Sequence, residues 1–297
     1  MPKSVALLLD DPENRYQQLL AREARTAAAR GGLTLLEPEF ARGSSWTQVE
    51  SVNSLLRGTR PDGLLVILAG EQWTRGPFER LVKAGLAVVL LNRIPDWVDD
   101  LRQGYPRSLI AGVTPRQSGV GEIQAEQALR LARPGSFVVL VTGAAASPAA
   151  VARRDGFLER LAGRLVVHEI DGRWSAAGAE KTLGDWFRVG AERDRPLALI
   201  ACQNDAMASG ARSALLRQAS SSGRRELERV PLLGCDGLEE EGRSMVTRGE
   251  LAATVVMPPT TPAAVEILRR YWDAGSRSET VTLEASSHPS LEALGPR

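Results

Sequence analysis

The sequence has little of what most catalytic and metal-binding proteins need. It contains 2 histidines and 2 cysteines in 297 residues, and these side chains lack the short spacings of a zinc site. No Gly-x-x-x-x-Gly-Lys-Ser/Thr motif occurs, no Gly-x-Gly-x-x-Gly follows a predicted strand, and no Gly-x-Ser-x-Gly elbow is present. We therefore expect no metal, no cofactor and no catalytic residue.

An excess of one charge and long apolar runs are also missing. The 37 basic and 36 acidic side chains leave a net charge of +1, without the basic excess of a nucleic-acid-binding protein. No run approaches the roughly 20 apolar residues that span a bilayer, and the first run, residues 5–9, is too short for a signal peptide. The chain as printed is expected in the cytoplasm, and a chain that has lost an export signal would be periplasmic.

The hydrophobic residues, 43% of the chain, lie in short runs that alternate with helical patterns. The alternation predicts parallel sheets with helices on both faces. It runs twice, over residues 1–112 and 114–257, with residues 110–113 as the connection between the two halves. The predicted fold is therefore α/β with two similar lobes. The Arg- and Ser-rich residues 217–225 predict a solvated surface loop.

Both cysteines, Cys202 and Cys235, lie inside apolar, strand-like runs. Such a setting favours buried free thiols, with a disulfide or a reactive thiol as the alternative. The small-residue turn at 142–147 indicates either a plain turn between strand and helix or a helix N-terminus open to an anion.

Polar and aromatic residues follow the predicted strands where the apolar runs end. In an open α/β sheet, ligands bind beyond the carboxyl ends of the strands. Amides, carboxylates and guanidinium groups bridge neighbouring hydroxyls, and aromatic faces cover the C–H side of a sugar ring. Each such residue alone could equally be a helix cap, a turn residue or an ion-pair member. Together they indicate a site for a polyhydroxylated ligand, and they are Asn14, Tyr16, Asn92, Arg93, Arg153, Trp174, Asn204 and Asp236.

Six segments, in their order and spacing, resemble the type I periplasmic binding proteins, in the branch of ribose-binding protein and the effector domains of LacI-type repressors. The resemblance covers nearly the whole chain. The segments are Asp62-Gly63-Leu-Leu-Val, Gly85-Leu-Ala-Val-Val-Leu-Leu-Asn92-Arg93, Ala152-Arg153-Arg-Asp-Gly156-Phe157, Gln203-Asn204-Asp205-Ala-Met207-Ala-Ser-Gly210-Ala, Leu233-Gly-Cys-Asp236-Gly237 and Gly249-Glu-Leu-Ala-Ala-Thr254-Val.

This resemblance implies two Rossmann-like lobes with parallel sheets, joined by a three-strand hinge and closing on the ligand like a Venus flytrap. The expected N-terminal lobe is 1–112 plus 258–277, and the expected C-terminal lobe is 113–257 plus 278–297. The crossovers between the lobes are expected near 113–114, near 236–237 or slightly later, and near 257–258.

The resemblance also implies roles for the strand-end residues. Asn14 and Tyr16 fall on first-loop sugar contacts, Arg153 on the second-lobe arginine, and Trp174 near a stacking aromatic. Asn204 and Asp236 fall on an asparagine and an aspartate of the opposite lobe.

Three positions depart from the family pattern. Asn92, followed by Arg93, stands where the family has an Asp-Arg pair. Met257 stands where a glutamine often reaches the ligand, and Thr114 where an aspartate is usual. The expected ligand is thus less polar than ribose, deoxygenated or otherwise unlike it, and a non-sugar ligand stays open.

The implied function is non-catalytic capture of a small sugar-like molecule, for ABC-type uptake with a membrane permease or for sensing with a regulator protein. One alternative is a cytosolic effector domain; no helix-turn-helix segment precedes the first strand, so direct DNA binding is disfavoured. A second is an enzyme on a related two-lobe fold, for which the sequence offers no acid–base pair. The identity of the ligand and the oligomeric state do not follow from the sequence.

Overall fold

The computed structural model describes residues 2–58, 60–69, 75–190, 195–277 and 280–295. The chain divides into two compact units that each contain two segments. Unit 1 consists of Met1–Pro115 and Pro258–Leu283, and unit 2 of Arg116–Met257 and Glu284–Arg297. Within the described residues, no helix combines the length and the apolar character that a membrane span requires.

Strands and helices alternate along the described chain. The first segment of unit 1 contains β1 (Ser4–Leu9), α1 (Arg15–Arg30), β2 (Thr34–Leu35), β3 (Glu39–Phe40), α2 (Ser45–Arg57), β4 (Gly63–Val66), α3 (Arg75–Lys83), β5 (Ala87–Leu91), α4 (Trp97–Gly104) and β6 (Ile110–Pro115). The first segment of unit 2 contains α5 (Gln117–Leu131), β7 (Phe137–Thr142), α6 (Pro148–Leu161), β8 (Val166–Asp171), α7 (Ala176–Arg188), β9 (Leu197–Cys202), α8 (Asp205–Ser222), a 3-10 helix (Arg225–Arg229), β10 (Leu232–Asp236), a π-helical turn (Glu239–Arg243), α9 (Ser244–Thr247) and β11 (Ala253–Val256). The remaining elements are α10 (Thr261–Ala274) and β12 (Thr280–Leu283) in unit 1, and β13 (Ser286–His288) and α11 (Leu291–Leu294) in unit 2.

The sheet of unit 1 is parallel, in the order β12-β6-β5-β4-β1-β2, with β3 also beside β1. Its central strands are apolar throughout, as expected for strands covered on both faces. Since parallel strands end at one edge, the residues after β1 and after β5 lie at the same edge of this sheet.

The sheet of unit 2 has the order β13-β11-β10-β9-β7-β8, and only β13 runs antiparallel to its neighbour. Helices α5 and α6 pack closely on one side. A Cβ at Gly121 would lie 1.9 Å from the carbonyl oxygen of Arg153, so only glycine permits this approach. The contact fixes the turn of α6 from which the Arg153 side chain projects.

The predicted fold class is confirmed, and two local predictions are wrong. Residues 110–113 are not a connection but the first part of β6, because their backbone pairs with β5 on one side and β12 on the other. The predicted loop 217–225 is mostly helical, since α8 continues to Ser222 and Gly223 ends it in the left-handed conformation. The Arg/Ser composition identified exposure correctly but not the helix.

The unit boundaries also differ from the expected ones. Residues 113–115 belong to unit 1 because β6 extends to Pro115, and β12 joins the same sheet. The chain passes between units after Pro115, Met257 and Leu283. The expected crossing near 236–237 lies inside unit 2, because β10 pairs with β9 and β11 of the same sheet.

Candidate functional site

In unit 1, Asn92 and Arg93 follow β5 directly. Asn92 adopts the left-handed conformation (φ 63°), which asparagine tolerates better than most residues. Its N–H donates to Val113 O at 2.8 Å, its carbonyl accepts from Thr114 Oγ1 at 2.9 Å, and its Oδ1 accepts from Thr260 Oγ1 at 3.0 Å. These three hydrogen bonds hold both the backbone and the side-chain oxygen of Asn92 at the end of β5.

Asn14 and Tyr16 belong to the start of α1. Asn14 is the N-cap, and its Oδ1 accepts from Gln17 N at 3.0 Å. The Tyr16 ring is 6% exposed, and its hydroxyl donates to Pro258 O at 2.7 Å. Both residues thus hold unit 1 together locally. Their predicted ligand contacts stay predictions, with Asn14 the more accessible of the two.

Asp10, at the end of β1, is a polar residue that sequence reasoning did not select. Its carboxylate accepts from Gly43 N at 3.0 Å, and the Arg93 guanidinium acts on it electrostatically. Burial raises the pKa of Asp10, while the Gly43 hydrogen bond and Arg93 lower it. Asp10 therefore joins Arg93 at the carboxyl edge of the unit 1 sheet. Asp10 could have been selected from the sequence, because it directly follows the first apolar run.

In unit 2, Arg153 is buried at 7% exposure and its guanidinium has several protein partners. Nε donates to Gln117 Oε1 at 2.7 Å and Nη1 to Gln203 O at 2.6 Å. Sulfur atoms lie on the same side: Cys235 Sγ is 3.5 Å from Nη1 and Met257 Sδ is 3.8 Å from Nη2. Met257 thus contacts the arginine with its thioether.

Trp174 lies with its ring centroid 5.4 Å from Arg153 Cζ, in the geometry of a cation–π contact. A Cβ at Gly143 would be 2.0 Å from Trp174 Cε2, so the small turn after β7 makes room for the indole. Gly143 N in turn donates to Gln203 Oε1 at 2.9 Å. This contact supports the plain structural interpretation of turn 142–147.

Asn204 is fully engaged by its own unit. Its Oδ1 accepts from Met207 N at 2.8 Å and caps α8, and its Nδ2 donates to Trp174 O at 3.1 Å. The side chain is 5% exposed. Asn204 therefore positions Trp174 and α8, and its predicted ligand contact stays untested.

Asp236 ends β10 and is partly exposed. Its φ of 103° is strained for a residue with a side chain. Burial raises the pKa of Asp236 to about 7, with Arg153 lowering it and Glu241 raising it. Among the residues that the structure describes, none shares a hydrogen bond with the Asp236 carboxylate. A carboxylate beside an arginine, with access to solvent and no hydrogen-bond partner among the described residues, is suited to accept from a ligand.

Asp205, missed by sequence reasoning, lies beneath this carboxylate. It is 0% exposed, and it accepts from Thr254 Oγ1 at 2.7 Å and Gly237 N at 2.8 Å. Burial and the neighbouring Asp236 raise the pKa of Asp205 well above its usual range. Asp205 could have been selected from the sequence, because it is the second residue of the Asn-Asp pair that follows the apolar run of β9. The Gly237 bond to Asp205 holds the turn that carries Asp236.

The predicted residues therefore form two groups, each described within its own unit. Unit 1 brings Asn92 and Arg93 to the sheet edge where Asp10 lies, and unit 2 brings Arg153, Trp174, Met257 and Asp236 together. Both cysteines are free and buried, as the sequence predicts. Over the described part of the chain, no three His, Cys, Asp or Glu side chains are grouped to hold a metal ion.

Comparison with known proteins gives a clear family match. The sequence model of the family described as "Periplasmic binding protein domain" matches residues 5–276. No curated protein matches the chain significantly. Solved structures match the fold closely at low sequence identity.

Three solved structures illustrate the similarity. An ABC transporter periplasmic solute-binding protein from Actinobacillus succinogenes with bound D-allose has a TM-score of 0.83 at 17% identity, covering 99% of each chain. The Caulobacter myo-inositol-binding protein, bound to myo-inositol, has a TM-score of 0.77 at 20% identity, covering 97% of this chain and 94% of its own. The fructose-binding periplasmic domain of a hybrid two-component system has a TM-score of 0.77 at 17% identity, covering 98% and 93%.

Proposed function

The chain belongs to the periplasmic binding protein family, and from that premise we propose that it is a solute-binding protein for a small sugar or sugar-like molecule. Two of the similar structures have D-allose or myo-inositol bound, and the third is a fructose-binding domain, which supports this class of ligand. The proposal includes no chemical step, because the polar groups described are arranged to hold a ligand.

The observation that carries the proposal is the Asp236 carboxylate. It has no hydrogen-bond partner among the described residues, and burial raises its pKa to about 7. A ligand hydroxyl can donate to this carboxylate, and a hydrogen bond to a charged group is stronger than a neutral one. Arg153 adds a cation, and the Trp174 indole beside it adds an aromatic face for the C–H side of a sugar ring. Carboxylate, guanidinium and indole together match a polyol.

The capture mechanism is part of the same proposal. The ligand would contact Asn92 and Arg93 of unit 1 and Asp236 and Arg153 of unit 2, and binding would favour a closed arrangement of the two units. Such a ligand shifts the equilibrium only by its differential affinity for the two arrangements. Small-angle scattering tests this step, since the radius of gyration should fall when ligand is added.

A thermal-shift screen tests ligand binding. The panel contains monosaccharides, polyols, nucleosides and autoinducer-like furanoses, tested on the wild type, Asp236→Ala and Arg93→Ala. A ligand at a hundredfold excess over its Kd stabilises by about 2.7 kcal/mol. We expect a positive shift for the wild type and none for either variant, with all three proteins folded by circular dichroism. A ligand that stabilises both variants as well as the wild type would contradict the site.

Uptake and sensing are both compatible with binding of a sugar-like molecule. The similarity to ABC transporter solute-binding proteins favours delivery to a permease, and the similarity to a domain of a hybrid two-component system favours a sensor partner. The compartment goes with the partner: delivery to a permease requires the periplasm, and the role of a cytosolic effector domain requires the cytoplasm. Fractionation of cells that express the full coding sequence distinguishes these cases.

A further inference from the structure

Asn92 is held in a single orientation by its own unit. Its backbone donates to Val113 O and accepts from Thr114 Oγ1, and its side-chain oxygen accepts from Thr260 Oγ1 at 3.0 Å. Thr260 is 0% exposed at the start of α10, so its hydroxyl has no access to water. If the Asn92 amide turned over, the Thr260 oxygen could accept from Nδ2, but the proton of the buried hydroxyl would lose its acceptor. The amide is therefore fixed with its oxygen inward.

The consequence is that Asn92 presents a donor. Nothing in the described part of the chain accepts from Asn92 Nδ2, and this nitrogen reaches solvent. Asn14 has the same arrangement, because Gln17 N occupies its oxygen and its nitrogen has no acceptor within the described ranges. Both strand-end asparagines of unit 1 thus offer N–H groups, and each of their oxygens already accepts one hydrogen bond.

Arg93, the next residue, adds a positive charge at the same edge. The Asp10 carboxylate acts on it electrostatically; burial raises the pKa of Asp10, and the Gly43 hydrogen bond and Arg93 lower it. An N–H donor next to a guanidinium binds most strongly an acceptor oxygen that carries negative charge. A ligand hydroxyl can accept from Nδ2 but must also place its own proton, whereas a ligand carboxylate accepts from both Nδ2 and the Arg93 guanidinium with no proton to place.

We propose that Asn92, oriented by Thr260, selects ligands that present a carboxylate to unit 1, so that the preferred ligands are sugar acids, namely uronates or aldonates. This inference rests on the proposed sugar-binding function and narrows its ligand class. Asn92 binds the ligand, and Thr260 is a positioning residue that acts through it.

Matched ligand pairs test the selection by titration calorimetry. The pairs are D-galactose with D-galacturonate, D-glucose with D-glucuronate, and D-sorbitol with D-gluconate, each differing by a carboxylate. For the wild type, at least one acid should bind about tenfold or more tighter than its neutral partner. In Asn92→Asp, which keeps the left-handed turn, that preference should disappear because two carboxylates would face each other.

Two further variants separate orientation from charge. Thr260→Val keeps the volume and removes the hydroxyl, which allows the amide to turn, so the acid-to-neutral ratio should fall about threefold to tenfold. Asn53→Asp is the matched control: it makes the same chemical change on α2, where Asn53 accepts from Arg80, and it should leave the ratio unchanged.

The outcomes are distinct. Equal or tighter binding of every neutral member, or an unchanged ratio in Asn92→Asp, overturns the selection by Asn92. Failure of all six compounds to bind also overturns it. In that case the proposed function survives if another compound from the thermal-shift panel binds and Asp236→Ala abolishes that binding, and it fails if none does.

Discussion

The asparagine side chains at the sheet edges of the two units are used in opposite ways, whereas the glutamines Gln48 of unit 1 and Gln203 of unit 2 each use both ends. In unit 2, Gln203 and Asn204 use both ends: Gln203 joins Gly143 N to Ala150 O, and Asn204 joins Met207 N to Trp174 O. In unit 1, Asn14 and Asn92 use only their oxygens. Asn204 of unit 2 is thus bonded at both ends, whereas Asn14 and Asn92 of unit 1 each keep an N–H donor. The difference indicates that the asparagine of unit 2 stabilises the framework of its site, whereas the asparagines of unit 1 keep donors with which a ligand can be selected.

Removing the two arginines should reveal this division most strongly. Arg153→Ala deletes a buried cation from Gln117, Gln203 and Asp236, and breaking such a buried network costs about 3 kcal/mol or more. Arg93→Ala deletes a partly exposed cation and should change the free energy of unfolding by about 1 kcal/mol or less. Urea unfolding followed by tryptophan fluorescence measures both values.

Arg154 provides the control for the first change. It neighbours Arg153 on α6 but pairs with Asp155 at the surface, so Arg154→Ala should have little effect. Equal losses from Arg153→Ala and Arg93→Ala would show that the two units are not built differently.

The aspartates of the two units should also contribute differently to the pH dependence of stability. Burial raises the pKa of Asp236 to about 7, and it raises the pKa of Asp205 as well. The folded state then holds more protons than the unfolded state between the ordinary aspartate pKa and pH 7. Stability from these groups is complete at low pH and is lost as the pH rises, by up to about 1.4 kcal/mol per pH unit for each carboxyl.

Unfolding measurements from pH 5 to pH 8 check this slope. Asp236→Asn should make the decline in unfolding free energy with pH less steep. Asp10→Asn should change the slope less, because Gly43 and Arg93 offset part of the effect of burial on Asp10. A wild-type protein that gains stability across this range would contradict the assignment of raised pKa values to Asp205 and Asp236.

The sequence could predict the fold because the fold follows from local patterns. Short apolar runs followed by helical periodicity gave the two α/β halves, and they placed Asn92, Arg93 and Asp236 after strands. Residues 110–113 were not predicted as a strand because their pairing partners include β12, which is distant in the chain. No local pattern carries that information. The end of α8 was predicted as a loop because Arg and Ser are equally common in surface loops and on exposed helix faces.

The site residues show the same limit. Residue type identified Asn204 as a candidate, but only the structure shows that Met207 N and Trp174 O occupy its side chain. Thr260 carries no signal in the sequence, since its effect depends on a hydroxyl that reaches Asn92 from a residue distant in the chain. Which end of an amide stays available is a property of its partners, and the partners are set by tertiary packing.

The smallest expected change in unfolding free energy comes from making the same substitution, asparagine to aspartate, once in each unit. Asn204→Asp keeps a capping oxygen for Met207 N but replaces the donor to Trp174 O by a carboxylate oxygen, which should cost about 1–2 kcal/mol. Asn92→Asp keeps an acceptor for Thr260 and loses no protein partner, so its unfolding free energy should change by about 0.5 kcal/mol or less. Urea unfolding of the two variants without ligand measures both changes in unfolding free energy. If Asn92→Asp destabilises as much as Asn204→Asp, then Nδ2 of Asn92 already has a partner in the free protein, and it is not held in reserve for a ligand.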